Sequence, residues 1–427
     1  MPDKPHHAPK HSSNYKWIIV VIFFLYCGIG WGGTQASNGV YFNPIADNLN
    51  LSRTSMSTAF AVLLAIGFSG SVLWGKLADS WSIRWVLAIS GALFAAGFFL
   101  ASFAESLLQF IICFSIIGGL GLSGTFSPLT GTTMRWFPPH QRGFAFGLSI
   151  AGVGVGTALM PSLADYLIHS EGWQYTFRTF GAIMLVLALI ATILAKEPPI
   201  SKQNSILEQR LPTHDGLGLS LSSIVKSHGF WLIFGMNFTT LTILQLCLVH
   251  LVPRAIDSGI DPSMAARLIA ILGLFSILGK TGGGYLTYQF SAKSVYIVGL
   301  IINMAVLIVI NFGDMLWLYI LFAMCFGIGY GACMPQSTVI AAHFFGTEHM
   351  STVAGALSQA NMIGGIAGPL MAGILFDATG TYTIPFLIAS SLGILGIICC
   401  IMAKPPSKSR LQSNLPTDKL SDGIVTT

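Results

Sequence analysis

Residues 54–104 read TSMSTAFAVLLAIGFSGSVLWGKLADSWSIRWVLAISGALFAAGFFLASFA, which is two apolar runs joined by a short charged loop. The charged residues of this stretch are Lys76, Asp79 and Arg84, all in or beside the loop. A helix that spans a bilayer needs about 20 apolar residues, because inside lipid every backbone N–H and C=O must be satisfied within the segment. The stretch therefore predicts two transmembrane helices, at 54–76 and 84–104.

The same pattern recurs along the chain of 427 residues, of which 53% are hydrophobic and 9% are charged. Soluble domains carry roughly 25% charged residues, so the composition excludes a soluble enzyme. Further apolar runs predict helices at 17–43, 107–135, 141–168, 174–195, 228–256, 264–289, 293–312, 315–343, 351–376 and 383–403. We expect an all-α membrane protein of twelve helices: a tail 1–16, a six-helix half 17–195, a linker 196–227, a six-helix half 228–403 and a tail 404–427.

The basic residues predict the orientation, because Lys and Arg accumulate on the cytoplasmic side of membrane proteins. Of the 21 basic residues, Lys280 lies inside a predicted span, and four lie on the side of the membrane opposite to the two predicted tails: Arg53, Arg178, Arg254 and Arg267. The other 16 (21 less 5) lie in the tails, the linker and the loops of one side. We therefore expect both termini in the cytoplasm of a cell-membrane protein. The net charge of +5 is then a result of topology, not a surface for nucleic acid.

An internal repeat relates the two halves at an offset of 208 residues. Matching pairs are Gly75 with Gly283, Gly119 with Gly327, Gly121 with Gly329, Trp136-Phe137 with Phe344-Phe345, Gly147 with Gly355, Gly156 with Gly364, and Pro161 with Pro369. Two parallel six-helix repeats with a substrate site between them resemble the organisation of the major facilitator class. The repeat therefore predicts the major facilitator fold.

The loop GKLADSWSIR, residues 75–84, resembles the signature loop of the major facilitator superfamily. That resemblance implies a conformational latch made by Gly75, Asp79 and Arg84. The glycine permits close helix approach, and the aspartate accepts from a helix N-terminus or pairs with a cation such as Arg84. The alternative is an ordinary solvated loop.

The segment RWFPPHQRGFAFG at 135–147, followed by AGVGVG at 151–156, resembles helices four and five of the monocarboxylate transporter and oxalate/formate antiporter group. The stretches GVYFNP at 39–44 and HLVPRAIDSGI at 250–260 resemble the same group. The resemblance spans nearly the whole chain. It implies a transporter of small organic anions, chiefly monocarboxylates.

Lys280, in LFSILGKTGGG at 274–284, is an ionisable side chain well inside a predicted span. Such residues are costly in lipid and usually mark substrate or ion paths, although a lysine nearer the helix end reaches the interface instead. The resembled group usually has a carboxylate-binding arginine at this position. A lysine keeps the positive charge but lacks the planar guanidinium group that binds a carboxylate with two hydrogen bonds. The group's animal members also have an acid where this chain has Ser276 and a lysine where it has Ala36, so their proton-coupling residues are missing.

Softer candidates for substrate contact are polar side chains in helices that line the cavity of the resembled group. We expect contacts from Tyr330 and Asn361, and then from Gln35 and Asn38. Hydrogen bonding between helices explains each of them equally well.

His250 and Asp257 lie near the outer end of the predicted helix seven and are candidates for proton coupling, because histidine titrates near neutral pH. The alternative is a surface cluster with Arg254.

No ATP-binding, zinc-binding or nucleophile motif is present, so we expect no cofactor, no metal and no enzymatic activity. The prediction is a secondary transporter of a small organic anion, proton-coupled or working by exchange, that acts as a monomer in the lipid bilayer. A drug or siderophore efflux transporter of the same fold is the alternative. A membrane sensor is a third hypothesis, and the short predicted tail 404–427 disfavours it.

Overall fold

The computed structural model describes residues 12–197 and 221–405, and within these ranges the chain consists of helices joined by short loops. Twelve of these helices are long and apolar enough to cross a membrane. The first half contains α1 (Asn14–Asn48), α2 (Thr54–Ser80), α3 (Ile83–Ala101), α4 (Leu107–Trp136), α5 (Pro139–Glu171) and α6 (Trp173–Leu194). The second contains α7 (His228–Asp257), α8 (Pro262–Gln289), α9 (Ala292–Phe312), α10 (Leu316–Phe345), α11 (Met350–Thr379) and α12 (Thr383–Met402). The prediction of an all-α protein with twelve spans is confirmed.

The predicted tails and most of the predicted linker lie outside the described residues. The part of the linker that is described ends in a short helix, Leu221–Lys226, directly before α7.

Two repeat-related helix contacts join the halves. A Cβ added at Gly147 of α5 would overlap the carbonyl of Lys280 on α8, and a Cβ added at Gly355 of α11 would overlap the carbonyl of Ser71 on α2. Gly147 and Gly355 are partners in the 208-residue repeat. Because a side chain at either position would separate the helices, the repeated glycine produces the same close crossing on both sides of the molecule.

The halves meet most closely on the face where α1 begins and α12 ends, which we call the terminal face. Here α2 ends beside the start of α11, and α5 begins beside the end of α8. The rings of His140 and Tyr288 lie 5.9 Å apart across the second of these contacts. On the opposite face the ends of α1 and α7, both within the described residues, do not pack closely together. The structure is therefore closed at the terminal face.

Three helices of the first half are irregular beside the centre of the bundle. Helix α1 widens into π-helical turns at Cys27–Gly33, α2 is interrupted at Gly70, and α4 is interrupted between Ser123 and Ser127. Side-chain bonds hold these segments together, since the indole of Trp31 donates to the Thr125 hydroxyl at 3.0 Å. Such irregular turns are common at functional sites, and here they position Trp31 of α1 and Phe126 of α4.

Candidate functional site

A cavity lies between the two halves, lined by α1, α2, α4 and α5 of the first and by α7, α8, α10 and α11 of the second. The empty space among its lining residues, with the adjoining open solvent counted, is about 750 Å³. Small-molecule sites usually have mostly apolar walls with a few polar groups. A cavity at the boundary between structural repeats is also where transporters of this architecture hold their substrate.

Lys280 lines this cavity from α8 and is only 2% exposed. Its Nζ donates to the Ser276 hydroxyl at 3.3 Å and lies 5.4 Å from the centre of the Tyr330 ring. Among the described residues, no carboxylate lies within salt-bridge distance of it. A buried cation without a counter-charge is costly, so its surroundings favour an anion.

The structure brings most of the predicted contact residues together. Gln35, Tyr330 and Asn361 line the same cavity as Lys280. The Oδ1 atom of Asn361 is buried and has no hydrogen-bond partner among the described residues, so it is available to a ligand. Asn38 lies one turn beyond Gln35 and is not part of the cavity lining, although its Oδ1 is also unpartnered within the described part of the chain.

Sequence reasoning did not identify the aromatic side chains of the cavity. Trp31, Phe68 and Phe126 all line it. The ring of Trp31 lies 4.8 Å from that of Phe68 and 6.3 Å from that of Phe126. A single sequence holds no signal for them, because an aromatic side chain in a spanning helix is compatible with lipid and with a cavity alike.

The structure does not place His250 and Asp257 in contact. The Nε2 atom of His250 lies 3.0 Å from the carbonyl oxygen of Pro369 on α11, whereas Asp257 is exposed. The two residues are seven positions apart on α7, which corresponds to roughly 10 Å along the helix axis. Neither lines the cavity.

Arg254, the third member of that cluster, is 6% exposed. It donates to Oδ1 of Asn311 at 2.8 Å and to the carbonyl of Ile310 at 2.9 Å. These bonds fasten α7 to the end of α9, so the geometry of Arg254 is that of a structural residue.

Asp79 lies on the terminal face, where it caps α11. Its Oδ2 accepts from the Thr352 amide at 2.8 Å and the Thr352 hydroxyl at 2.6 Å, and its Oδ1 accepts from the Ser351 amide at 3.3 Å. The first amides of a helix lack internal partners and carry partial positive charge, which makes a carboxylate there favourable. Gly75 permits this approach, since a Cβ at that position would overlap the Ser351 carbonyl. Asp79 therefore ties the first half to the second.

The cation beside Asp79 is Arg135, whose Nη1 lies 2.8 Å from Oδ1. The expected cation was Arg84, but its Nε donates to the carbonyl of Ala195 at 2.6 Å, within the first half. The last turn of α4 carries Arg135 to the carboxylate, while Arg84 lies at the start of α3 and turns toward the end of α6. The three residues expected to act together are therefore divided between two contacts.

Comparison with known proteins gives a consistent result. The family model of the Major Facilitator Superfamily matches residues 18–283 and 251–422. The chain is 25% identical over 410 residues to human monocarboxylate transporter 11, covering 92% of this chain and 83% of that protein. It is 26% identical over 401 residues to bovine monocarboxylate transporter 13, covering 92% and 90%.

Solved structures share the fold. FucP, a transporter of the same superfamily in the outward conformation, superimposes with a TM-score of 0.72 at 15% identity, over 93% of this chain and 100% of FucP. The proton:xylose symporter XylE gives a TM-score of 0.69 at 16% identity, over 94% and 99%. Identities this low establish the architecture only.

Proposed function

Because the chain belongs to the Major Facilitator Superfamily and is a secondary transporter, we propose that it carries a small organic anion, chiefly a monocarboxylate, by alternating access. The two halves would rock about the central cavity and expose it to each side of the membrane in turn. Two relatives that span nine-tenths of the chain are named monocarboxylate transporters, which supports this substrate class.

The observation that carries the proposal is the uncompensated charge of Lys280. Among the described residues that line the cavity, Lys280 alone has a formal charge. Its Nζ points back toward Ser276, four residues earlier on α8 and further from the terminal face. This direction is opposite to that of a lysine reaching the nearer interface, so the snorkelling alternative is disfavoured. A bound carboxylate supplies the missing counter-charge.

We propose further that both termini lie in the cytoplasm of a cell-membrane protein, as the positive-inside bias favours. The closed terminal face then corresponds to the outward-facing state. In that state the contact of Asp79 with α11 is the latch that keeps the cytoplasmic side closed.

We propose exchange as the coupling mode, on the basis of the charges that line the cavity. The cavity lining contains no carboxyl group among the described residues that could carry a proton, and this favours exchange of one anion for another. Coupling through His250 and Asp257 stays a prediction. An Asp257→Asn variant tests it: if the dependence of transport on pH is unchanged, Asp257 is not part of the mechanism.

The proposal is tested by counterflow in liposomes, which needs no imposed ion gradient. Labelled formate, acetate, pyruvate, oxalate and phenylacetate are offered to wild type, Lys280→Met and Lys280→Arg. Lys226→Met is the matched control, because Lys226 is exposed and lies before α7, far from the cavity. We expect uptake of at least one acid by wild type and by the control, loss in Lys280→Met and partial recovery in Lys280→Arg. Absence of any acid uptake contradicts the proposal and favours drug or siderophore efflux.

A further inference from the structure

We infer that the preferred substrate is a monocarboxylate with an aromatic body, held with its carboxylate at Lys280 and its ring against Trp31, Phe68 and Phe126. The inference rests on the proposed function and specifies its substrate class. It excludes dianions and the smallest acids as preferred substrates.

The aromatic side chains form one continuous wall. Trp31 lies between the other two, with ring centres 4.8 Å from Phe68 and 6.3 Å from Phe126. The indole N–H of Trp31 is already bonded to Thr125, so its rings meet the cavity as apolar surface. Aromatic rings favour offset-stacked or edge-to-face neighbours at separations of this order, so the wall can accept one more ring.

The charge of the cavity matches one carboxylate and no more. Lys280 is the one charged residue within the described lining. Apart from the aromatic side chains, the rest of that lining is aliphatic or polar and uncharged: Ile150, Val153, Leu241, Leu244 and Met334, and Gln35, Ser71, Gln245, Ser358 and Asn361. A second carboxylate on the same ligand would find no second cation among these side chains, and a charge without a counter-charge is unfavourable in a site partly removed from water. Oxalate and other dianions therefore fit poorly.

The aromatic wall also favours a larger acid over formate or acetate. Formate or acetate bound at Lys280 would leave the aromatic wall in contact with water. A ligand that covers this wall removes apolar surface from water and binds more tightly for that reason.

The test is competition in counterflow, with unlabelled acids competing against labelled phenylacetate. We expect phenylacetate to compete at concentrations at least about tenfold lower than acetate, which corresponds to one ring contact with the wall. We expect oxalate and the neutral analogue phenylacetamide not to compete. The comparison of phenylacetate with acetate measures the contribution of the ring, and the comparison of phenylacetate with phenylacetamide measures the contribution of the negative charge.

Variants of the wall separate recognition from folding. Trp31→Ala should lower the advantage of phenylacetate over acetate by about tenfold, and Trp31→Phe should retain it. Phe68→Leu is the second variant, because loss of the indole bond to Thr125 could impair folding of Trp31→Ala. Phe312→Ala is the control, since Phe312 is 82% exposed at the end of α9. The readout is the ratio of the two acids, which a purely structural change would not move.

The outcomes are distinct. If uptake depends on Lys280 but acetate or oxalate competes as well as phenylacetate, the inference is wrong and the proposed function stands. An unchanged ratio in both Trp31→Ala and Phe68→Leu also overturns the inference. If no acid is taken up, the proposed function fails and the inference fails with it.

Discussion

Replacing Asp79 by alanine should open the terminal face. The three bonds that Asp79 accepts from Ser351 and Thr352 join the two halves, and they exist only while this face is closed. The ion pair with Arg135 lies within the first half, so we expect it to be present whether the terminal face is closed or open and to cancel from the comparison. The amides left behind are rehydrated when the face opens, so the net loss is close to that of a helix cap.

We estimate the loss at about 2 kcal/mol, from the cost of removing a cap and the strength of hydrogen bonds to a charged acceptor. A change of this size raises the ratio of open to closed molecules about 30-fold. The substitution should therefore convert a minor inward-facing population into one that is readily measured.

The ratio can be measured from distances between nitroxide labels introduced by His140→Cys and Tyr288→Cys. These positions face each other across the terminal face, with ring centres 5.9 Å apart. The labelled background carries serine at Cys113 and Cys325, because the other five cysteines are buried. Protein in nanodiscs should show a short distance in wild type and a larger share of long distances in Asp79→Ala.

Arg84→Ala is the matched control, since Arg84 belongs to the same loop but bonds to Ala195 within its own half. It should leave the distance distribution as in wild type. The latch is refuted if Asp79→Ala gives the wild-type distribution, or if Arg84→Ala opens the face to the same extent.

Three further predictions follow from individual contacts. Gly147→Ala should reduce the rate of counterflow about tenfold, because the added Cβ overlaps the Lys280 carbonyl at a cost of about 1–3 kcal/mol. The control Gly282→Ala should transport at the wild-type rate, since the space around Gly282 is open. Equal rates in the two variants would contradict the close crossing of α5 and α8. Arg254→Met should destabilise the protein by about 1–3 kcal/mol, since it leaves the buried acceptors of Asn311 and Ile310 unpaired. The same variant should bind substrate in counterflow with unchanged apparent affinity. A large change in affinity would contradict a structural role for Arg254. The Ser263 hydroxyl and then the Met264 amide lower the pKa of Asp261 at the start of α8. The stabilisation of the folded protein by Asp261 is therefore complete above the ordinary carboxyl pKa and is lost as the pH falls through the lowered pKa. The melting temperatures of wild type and Asp261→Ala should differ at neutral pH and converge in acid. A difference in melting temperature that persists in acid would contradict this.

The fold could be predicted from the sequence because lipid imposes a simple rule on it. The predicted helix at 54–76 corresponds to α2, and the predicted helix at 228–256 corresponds to α7 within one residue. The repeat was visible for a related reason, since a close crossing such as that of Gly147 or Gly355 tolerates no side chain. Burial inside lipid requires apolar residues and close helix approach requires small ones, so both can be recognised from residue type.

The sequence identified a residue of the site only where placing its side chain inside the membrane is energetically unfavourable. Lys280 was identified because a charge within a span is unfavourable without a purpose. Trp31, Phe68 and Phe126 were not identified, because an aromatic side chain is favourable in lipid and in a cavity alike. The partner of Asp79 was also beyond the sequence, since the choice between Arg84 and Arg135 depends on where α4 ends relative to α2.

Recognition of a carboxylate by Lys280 can be tested by equilibrium binding of phenylacetate to the purified protein, measured by titration calorimetry in detergent. Binding isolates recognition at Lys280 from the conformational cycle that counterflow also requires. We expect one site per chain in wild type, binding weakened by about 100-fold in Lys280→Met as a charged partner is lost, and substantial recovery in Lys280→Arg. Equal affinity in wild type and Lys280→Met would contradict the assignment of Lys280 as the carboxylate partner and the organic-anion function that rests on it.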